Sequence, residues 1–344
     1  MKMETYTQYA CDRLKELTAI DSPDGFTRKV IDYTAGKLKE LGFVPEITNK
    51  GCIVCNLGGK GNPIVLSAHI DTLGAQVAEI KNNGRLRLSP VGGLPASVVE
   101  TETCRIYTRD ERVYEGTFQL CNASLHVNGE LNKTVRSYDN MEVVIDENVS
   151  SKKETEALGI DNGCYVCFDP RTVITKSGYI KSRYLDDKLS VAMLLALAKK
   201  VQDGAVKLAR KTYLFISVYE EVGHGAKGAV PADAVEFMSV DMGCVGEGLK
   251  CTERQVSICA KDSGGPYDYS VVNALVKCAQ EGKLDYAVDI YPHYGSDAEA
   301  ALGAGYDVKH GLIGAGVYAS HGYERSHVDG VKNTLALLDL YLQK

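Results

Sequence analysis

The run Leu214-Phe215-Ile216-Ser217-Val218-Tyr219-Glu220-Glu221-Val222-Gly223-His224-Gly225 opens with residues of β-forming, mostly apolar character, passes into two adjacent carboxylates and ends in a glycine-punctuated turn. A buried strand that delivers acidic side chains to the open end of a sheet reads this way, and α/β proteins carry their chemistry at the C-terminal ends of such strands. Successive strand residues point to opposite sides. Glu220 and Glu221 are therefore expected to divide two roles, one ligating a metal and the other facing substrate as a base. Taken alone the pair also fits a solvated Glu-Glu turn, so its meaning depends on the flanking chain.

That chain is α/β on both sides. Residues 5–20 and 27–41 read as amphipathic helices separated by Asp21-Ser22-Pro23-Asp24-Gly25, and strands follow at 52–57 and 63–68. The second strand runs into Ser67-Ala68-His69-Ile70-Asp71-Thr72, where His69 and Asp71 share a side and the carboxylate is suited to orient a metal-bound imidazole. Tyr184-Leu185-Asp186-Asp187-Lys188 leads into a helix over 189–201, and a strand over 236–240 ends in Asp241-Met242-Gly243. Beyond it come a strand at 256–260, a helix at 267–281, a strand at 286–291 and Gly295-Ser296-Asp297-Ala298 opening a short helix. The apolar segment 311–318 then enters Ala319-Ser320-His321-Gly322-Tyr323-Glu324, and a helix over 328–342 closes the pattern.

Between about 74 and 168 the character changes to short alternating runs such as Arg85-Leu86-Arg87-Leu88, many turn residues and one short helical candidate at 152–158. A small β-barrel or sandwich has this signature. The expected architecture is thus an α/β, mixed-sheet catalytic domain formed by 1–73 and 169–344, interrupted by an inserted β-barrel-like domain over 74–168.

Composition narrows the function classes. With 344 residues of which 44% are hydrophobic, the chain supports a sizeable core. Its 39 basic and 45 acidic residues give a net charge of −6 without any basic stripe, so neither nucleic acid nor anionic lipid is an expected partner. The first twenty residues lack an apolar signal core and the run near 191–198 is too short to span a bilayer, which points to the cytoplasm and away from membranes. Eleven scattered cysteines fit a reducing compartment. The pairs Cys52/Cys55 and Cys164/Cys167 have C-x-x-C spacing, but in strand-like segments residues three apart face opposite sides and do not readily grip one ion. His126, His293 and His310 have no carboxylate partner in a motif and read as structural.

Five candidate ligands remain at the ends of apolar runs or in turns: His69, Asp186, Glu221, Asp241 and His321. Two imidazoles and three carboxylates suit zinc or cobalt and exceed what one tetrahedral zinc takes, so two ions sharing a carboxylate is the economical solution. In order along the chain, Ala68-His69-Ile70-Asp71, Leu185-Asp186-Asp187, Glu220-Glu221-Val222-Gly223, Val240-Asp241, Gly295-Ser296-Asp297-Ala298 and a late histidine motif resemble those of the co-catalytic dinuclear metallo-aminopeptidases, which include glutamyl and tetrahedral aminopeptidases. Within the insertion, Asn83-Gly84-Arg85-Leu86-Arg87 and Pro90-Val91-Gly92-Gly93 look like the start of that family's oligomerisation barrel, so the resemblance spans nearly the whole chain.

The resemblance implies that His69, Asp186 and Asp241 hold one ion and that Asp186, Glu221 and His321 hold the other. It further implies Glu220 as general base, Asp71 as the partner of His69, and a cis peptide between Asp186 and Asp187. The cofactors would be two divalent ions, Zn2+ with Co2+ or Mn2+ as alternatives, and the substrate a peptide with a free N-terminus. A homo-oligomer, from dimer up to dodecamer, follows from the same source. Three positions depart from the pattern. Thr72 stands where relatives often have Glu, and His224 lies where they commonly have Arg and is read as loop or substrate contact. His327 rivals His321 as ligand. Two other functions stay open: an amidohydrolase of the related di-zinc deacylase or carboxypeptidase type, and an inactive assembly protein, against which the complete ligand set argues.

Overall fold

The computed structural model describes residues 3–344. The N-terminal helices α1 (Met3–Thr18) and α2 (Arg28–Glu40) bury one apolar face each and leave charged residues on the other. Strands β1 (Glu46–Ile47), β2 (Ile53–Gly58) and β3 (Ile64–His69) follow. Next come β4 (Gly74–Ile80), β5 (Leu86–Val91), β6 (Thr103–Tyr107), β7 (Val113–Leu120), β8 (Met141–Ile145), α3 (Lys152–Ala157) and β9 (Tyr165–Phe168). The chain continues through β10 (Val173–Ile174), β11 (Tyr179–Ser182), α4 (Leu185–Gln202), β12 (Thr212–Ser217), β13 (Glu236–Val240), β14 (Gly243–Val245) and β15 (Val256–Lys261). It ends with α5 (Tyr269–Glu281), β16 (Tyr286–Ile290), α6 (Asp297–Gly303), β17 (Lys309–Tyr318), β18 (Glu324–His327) and α7 (Val328–Leu342).

Two compact units result, Thr72–Pro170 and the remainder. The larger is built on a 12-stranded mixed sheet whose path runs β1-β2-β12-β3-β13-β17-β18-β11-β10. At its centre β12, β3, β13 and β17 are mutually parallel, while β2 and β15 join antiparallel. These parallel strands read as continuous apolar runs because both faces are covered, and β3 and β13 are buried at every residue. α4 packs on β3, α1 on α4 and α7 on β17, while α6 packs on β3 and β13. Buried Lys188 donates to the carbonyls of Leu17 and Ile20 at 3.0 and 2.7 Å and so caps the C-terminal end of α1 from α4.

The smaller unit is a closed antiparallel barrel, β4-β5-β8-β7-β6-β9. Alternating residues fill it, Phe118 and Phe168 meeting edge to face at 5.7 Å. Of the two folds open from the alternating pattern, barrel and sandwich, closure is the outcome, and it leaves no unpaired edge.

One boundary differs from the sequence reading and bears on the site. The strand that carries the glutamate pair stops at Ser217, and Tyr219, at a φ of 67°, turns the chain before Glu220. The helical torsions of α4 begin at Lys188, within a residue of the expected start, and the non-helical Asp186 and Asp187 before it are joined by the expected cis peptide.

Candidate active site

Parallel strands β12, β3 and β13 all present their C-terminal ends to one edge of the sheet, so the residues just beyond them converge. His69 ends β3, Asp241 follows β13 and Glu220-Glu221 follow β12. Asp186 enters from the segment that opens α4, and His321 from the β17–β18 turn at a φ of 63°.

The imidazole of His69 is buried, with Nε2 at 3.0 Å from Asp186 Oδ1 and 3.8 Å from Glu220 Oε2. On the other side of the cluster, His321 Nε2 lies 3.5 Å from Asp186 Oδ2 and 3.4 Å from Glu221 Oε2. Asp186 therefore turns one oxygen to each imidazole. Ligand atoms of His69, Asp186 and Glu221 all lie within 4.8 Å of one another, and so do those of His69, Asp187 and Asp241. The group containing Asp241 thus has Asp187 where the sequence reading has Asp186. Asp187 Oδ1 is buried with no hydrogen-bond partner.

The supports differ in detail from expectation. His69 Nδ1 meets the backbone carbonyl of Asp71 at 3.1 Å, nearer than the Asp71 carboxylate at 3.8 Å, so the main chain does the orienting. The Asp71 carboxylate instead accepts the Glu221 backbone N–H, at 3.1 Å. His327 is engaged elsewhere: its Nδ1 accepts from the Asp329 N–H at 3.0 Å, and its Nε2 meets the Ser177 carbonyl at 2.9 Å. Those bonds require the Nε2–H tautomer and leave no ring nitrogen for an ion. His224 is exposed and its carbonyl accepts from Lys50 Nζ at 2.6 Å.

Three contributors had no role in the sequence reading. Buried Glu324 accepts the N–H groups of Leu185 and Asp186 on one oxygen, at 2.5 and 3.1 Å, and that of His321 on the other, at 3.1 Å. It joins the segments of Asp186 and His321, yet in sequence it is only a glutamate three residues past a histidine. The Ser320 hydroxyl donates to Asp186 Oδ2 at 2.8 Å. Asp24 comes from the turn between the first two helices, and burial with the facing Asp71 carboxylate pushes it up to about 9.

Electrostatically the cluster is short of positive charge. Burial pushes Glu220, Glu221 and Asp187 well above the ordinary carboxylate range, reinforced by neighbouring like charges, chiefly Asp241 for Glu220 and Asp187 and Asp186 for Glu221. Asp241 is pushed to about 7, by burial and then by Asp186. Burial opposes the charge on His69, but Asp186, Glu220, Asp71 and Asp241 outweigh it and hold its pKa well above 6.5. Such a donor set, hard oxygens with two imidazoles, fits divalent cations.

Known proteins supply the class first. In fold the chain is like archaeal aminopeptidases: APDkam598 of Desulfurococcus kamchatkensis superposes with a TM-score of 0.87 at 22% identity, over 99% of this chain and 95% of that one. The TET1 peptidase of Pyrococcus horikoshii, which assembles into a tetrahedron or a large octahedral shell, does so with a TM-score of 0.85 at 20% identity, over 97% and 99%. The chain belongs to the M42 glutamyl aminopeptidase family, whose model matches residues 51–337. YhfE of Bacillus subtilis (strain 168) is 44% identical over 341 residues, 98% of this chain and 99% of that protein. M42 aminopeptidases are metal-dependent peptide hydrolases. No helix among the described residues is long and apolar enough to cross a membrane.

Proposed function

We propose that the protein removes N-terminal residues from peptides with two divalent metal ions and Glu220 as general base. One observation carries this reading: Asp186 directs Oδ1 to His69 and Oδ2 to His321, as a carboxylate shared by two ions would. His69, Asp186 and Asp241, with Asp187 close by, would hold one ion, and Asp186, Glu221 and His321 the other. Zinc suits this set, as do cobalt and manganese. When bound, the ions would polarise the scissile carbonyl and make the attacking water acidic near neutral pH.

The chain's own residues do the proton work. Glu220 takes the proton of the attacking water and returns it to the leaving amine, a cycle that requires a carboxylate easily switched between its two states. Asp71 keeps His69 and Glu221 in place through the carbonyl and carboxylate contacts described above. The acidic character of the cluster suits the free α-amino group of a peptide. The inserted barrel is assigned to homo-oligomer assembly, from dimer to dodecamer, a reading supported by the shells of the Pyrococcus protein.

Chelated protein titrated with Zn2+, Co2+ or Mn2+ and assayed on matched free and N-acetylated peptides tests the proposal. Two equivalents per chain should restore release of free N-terminal residues and leave the acetylated peptides intact. Full activity at one equivalent, or cleavage of the acylated set, would overturn it.

A further inference from the structure

Gly295-Ser296-Asp297-Ala298 stands out in the sequence and has no part in the reaction just described. Asp297 is buried at the start of α6. Its Oδ2 accepts from the hydroxyls of Ser67, at 3.1 Å, and Ser217, and its Oδ1 accepts from the Ala226 N–H at 2.7 Å. The N–H of Ala298 next to it donates to Ser239 Oγ at 3.0 Å.

These partners are not scattered. Ser67 precedes His69 by two residues on β3, Ser239 precedes Asp241 by two at the end of β13, and Ser217 precedes Glu220 by three. In the sheet Ser67 pairs with Ser239, and Ser217 pairs with His69. Residues two apart on a strand share a face. One carboxylate thus lies a layer beneath the strand ends that deliver His69, the glutamate pair and Asp241, and through Ala226 it also grips the far end of the turn that contains the pair. The fit is close: a β-carbon built at buried Gly225 would overlap this carboxylate, lying 2.8 Å from its carbon and 3.0 Å from Oδ2.

We propose that Asp297 is a positioning residue for the reaction: it ties the turn of residues 219–226 to β3 and β12 and thereby fixes where Glu220 and Glu221 stand. The inference rests on the assignment of Glu220 as base, and Asp297 itself touches no substrate. A carboxylate suits the task because it accepts all three donors and bonds them more strongly than a neutral acceptor. Asparagine should serve in part, since its oxygen can keep the Ala226 N–H while the two serine hydroxyls rotate to accept from its amide.

The test uses metal-loaded protein and three variants, Asp297→Ala, Asp297→Asn and Gly225→Ala, followed by steady-state kinetics and backbone hydrogen exchange. Asp297→Ala should lower kcat by roughly 10²-fold with KM little changed, the usual scale for a small misplacement of reacting groups. Exchange should accelerate in residues 219–226 and not in β3 or β12. Asp297→Asn should recover most of the rate. Gly225→Ala should act like Asp297→Ala, and its effect should shrink when Asp297→Ala is already present, because the overlap is then gone. Wild-type kcat and exchange in a folded Asp297→Ala, an Asn variant no better than Ala, or exchange rising evenly through the sheet would each overturn the proposal. Should Asp297→Ala not fold, Gly225→Ala judges alone, and unchanged kcat with unchanged exchange at 219–226 refutes it. If the metal-loaded wild type released no N-terminal residue from any peptide, the aminopeptidase reading would fail by itself, and the exchange data would still judge the anchor.

Discussion

Glu220 and Glu221 are adjacent in sequence but face different imidazoles, Glu220 toward His69 at 3.8 Å and Glu221 toward His321 at 3.4 Å. Their loss should therefore read out differently. Glu220→Gln should keep both ions and lose roughly 10²–10⁴ in kcat, the contribution of a positioned general base, whereas Glu221→Gln should lose metal along with activity. Metal analysis of the two variants giving the reverse pattern would exchange their roles. The two late histidines separate in the same way. His321→Ala should weaken one ion strongly, while His327→Ala, which removes bonds to Asp329 and Ser177, should leave two ions per chain and lower thermal stability instead. Equal metal loss in both variants would contradict this. Sequence ranks His321 first by its motif and because His327 begins the closing helix, further from the strand end; the engagement of both His327 ring nitrogens by Ser177 and Asp329 is a fact of tertiary contact that sequence does not show.

Among elements, the strand ends were legible and the turns between them were not. The apolar runs at 63–68 and 236–240 reveal buried parallel strands because they are short, continuous and bounded by turn residues, and the residue after each lands in the site. The division of labour between Glu220 and Glu221 was inferred from strand alternation, yet the strand ends at Ser217 and a left-handed Tyr219 performs the separation. Positive φ at a tyrosine, like that at Ala319 and His321, has no sequence signal, since such conformations persist only where the surrounding packing enforces them. Glu324 illustrates the same limit. Its two oxygens join the turn of His321 to the segment of Leu185 and Asp186, so Glu324→Ala would strand buried N–H donors, each worth about 1–3 kcal/mol. The expected outcome is a 10- to 100-fold loss of metal affinity, the usual range for supports of this kind, together with a lower melting temperature. Glu324→Gln should fall between, because it replaces one acceptor oxygen with a donor. Calorimetric metal titration that finds wild-type affinity in the Ala variant would remove Glu324 from the site's framework.

At the scale of the whole molecule, the buried acids make stability depend on metal and pH together. Without metal, Asp241 at about 7 and Asp24 at about 9 hold protons in the folded state that the unfolded chain, with carboxylates near 3.8, has already released. The folded form then binds more protons, so stability falls as pH rises from about 4 toward these values. Chelated protein should therefore melt at lower temperature at pH 7.5 than at pH 5.5. Divalent ions that replace those protons should raise the melting temperature and flatten the trend; a chelated protein whose melting point climbs with pH would refute the argument. Assembly is the other property of this scale. Sequence reasoning tied it to strand edges needing cover, but the barrel closes on itself and has none to offer. Between β7 and β8 the segment 121–140 exposes Leu125, Val127 and Val135, at 63%, 74% and 71%, a cost in water that burial against another chain would remove. Light scattering of the intact protein at micromolar concentration is expected to give an oligomer. Replacing all three with Ser should shift the population toward smaller species while metal content per chain stays constant. A monomeric wild type would end the assembly reading. An oligomer indifferent to the triple substitution would place the contact elsewhere on the chain.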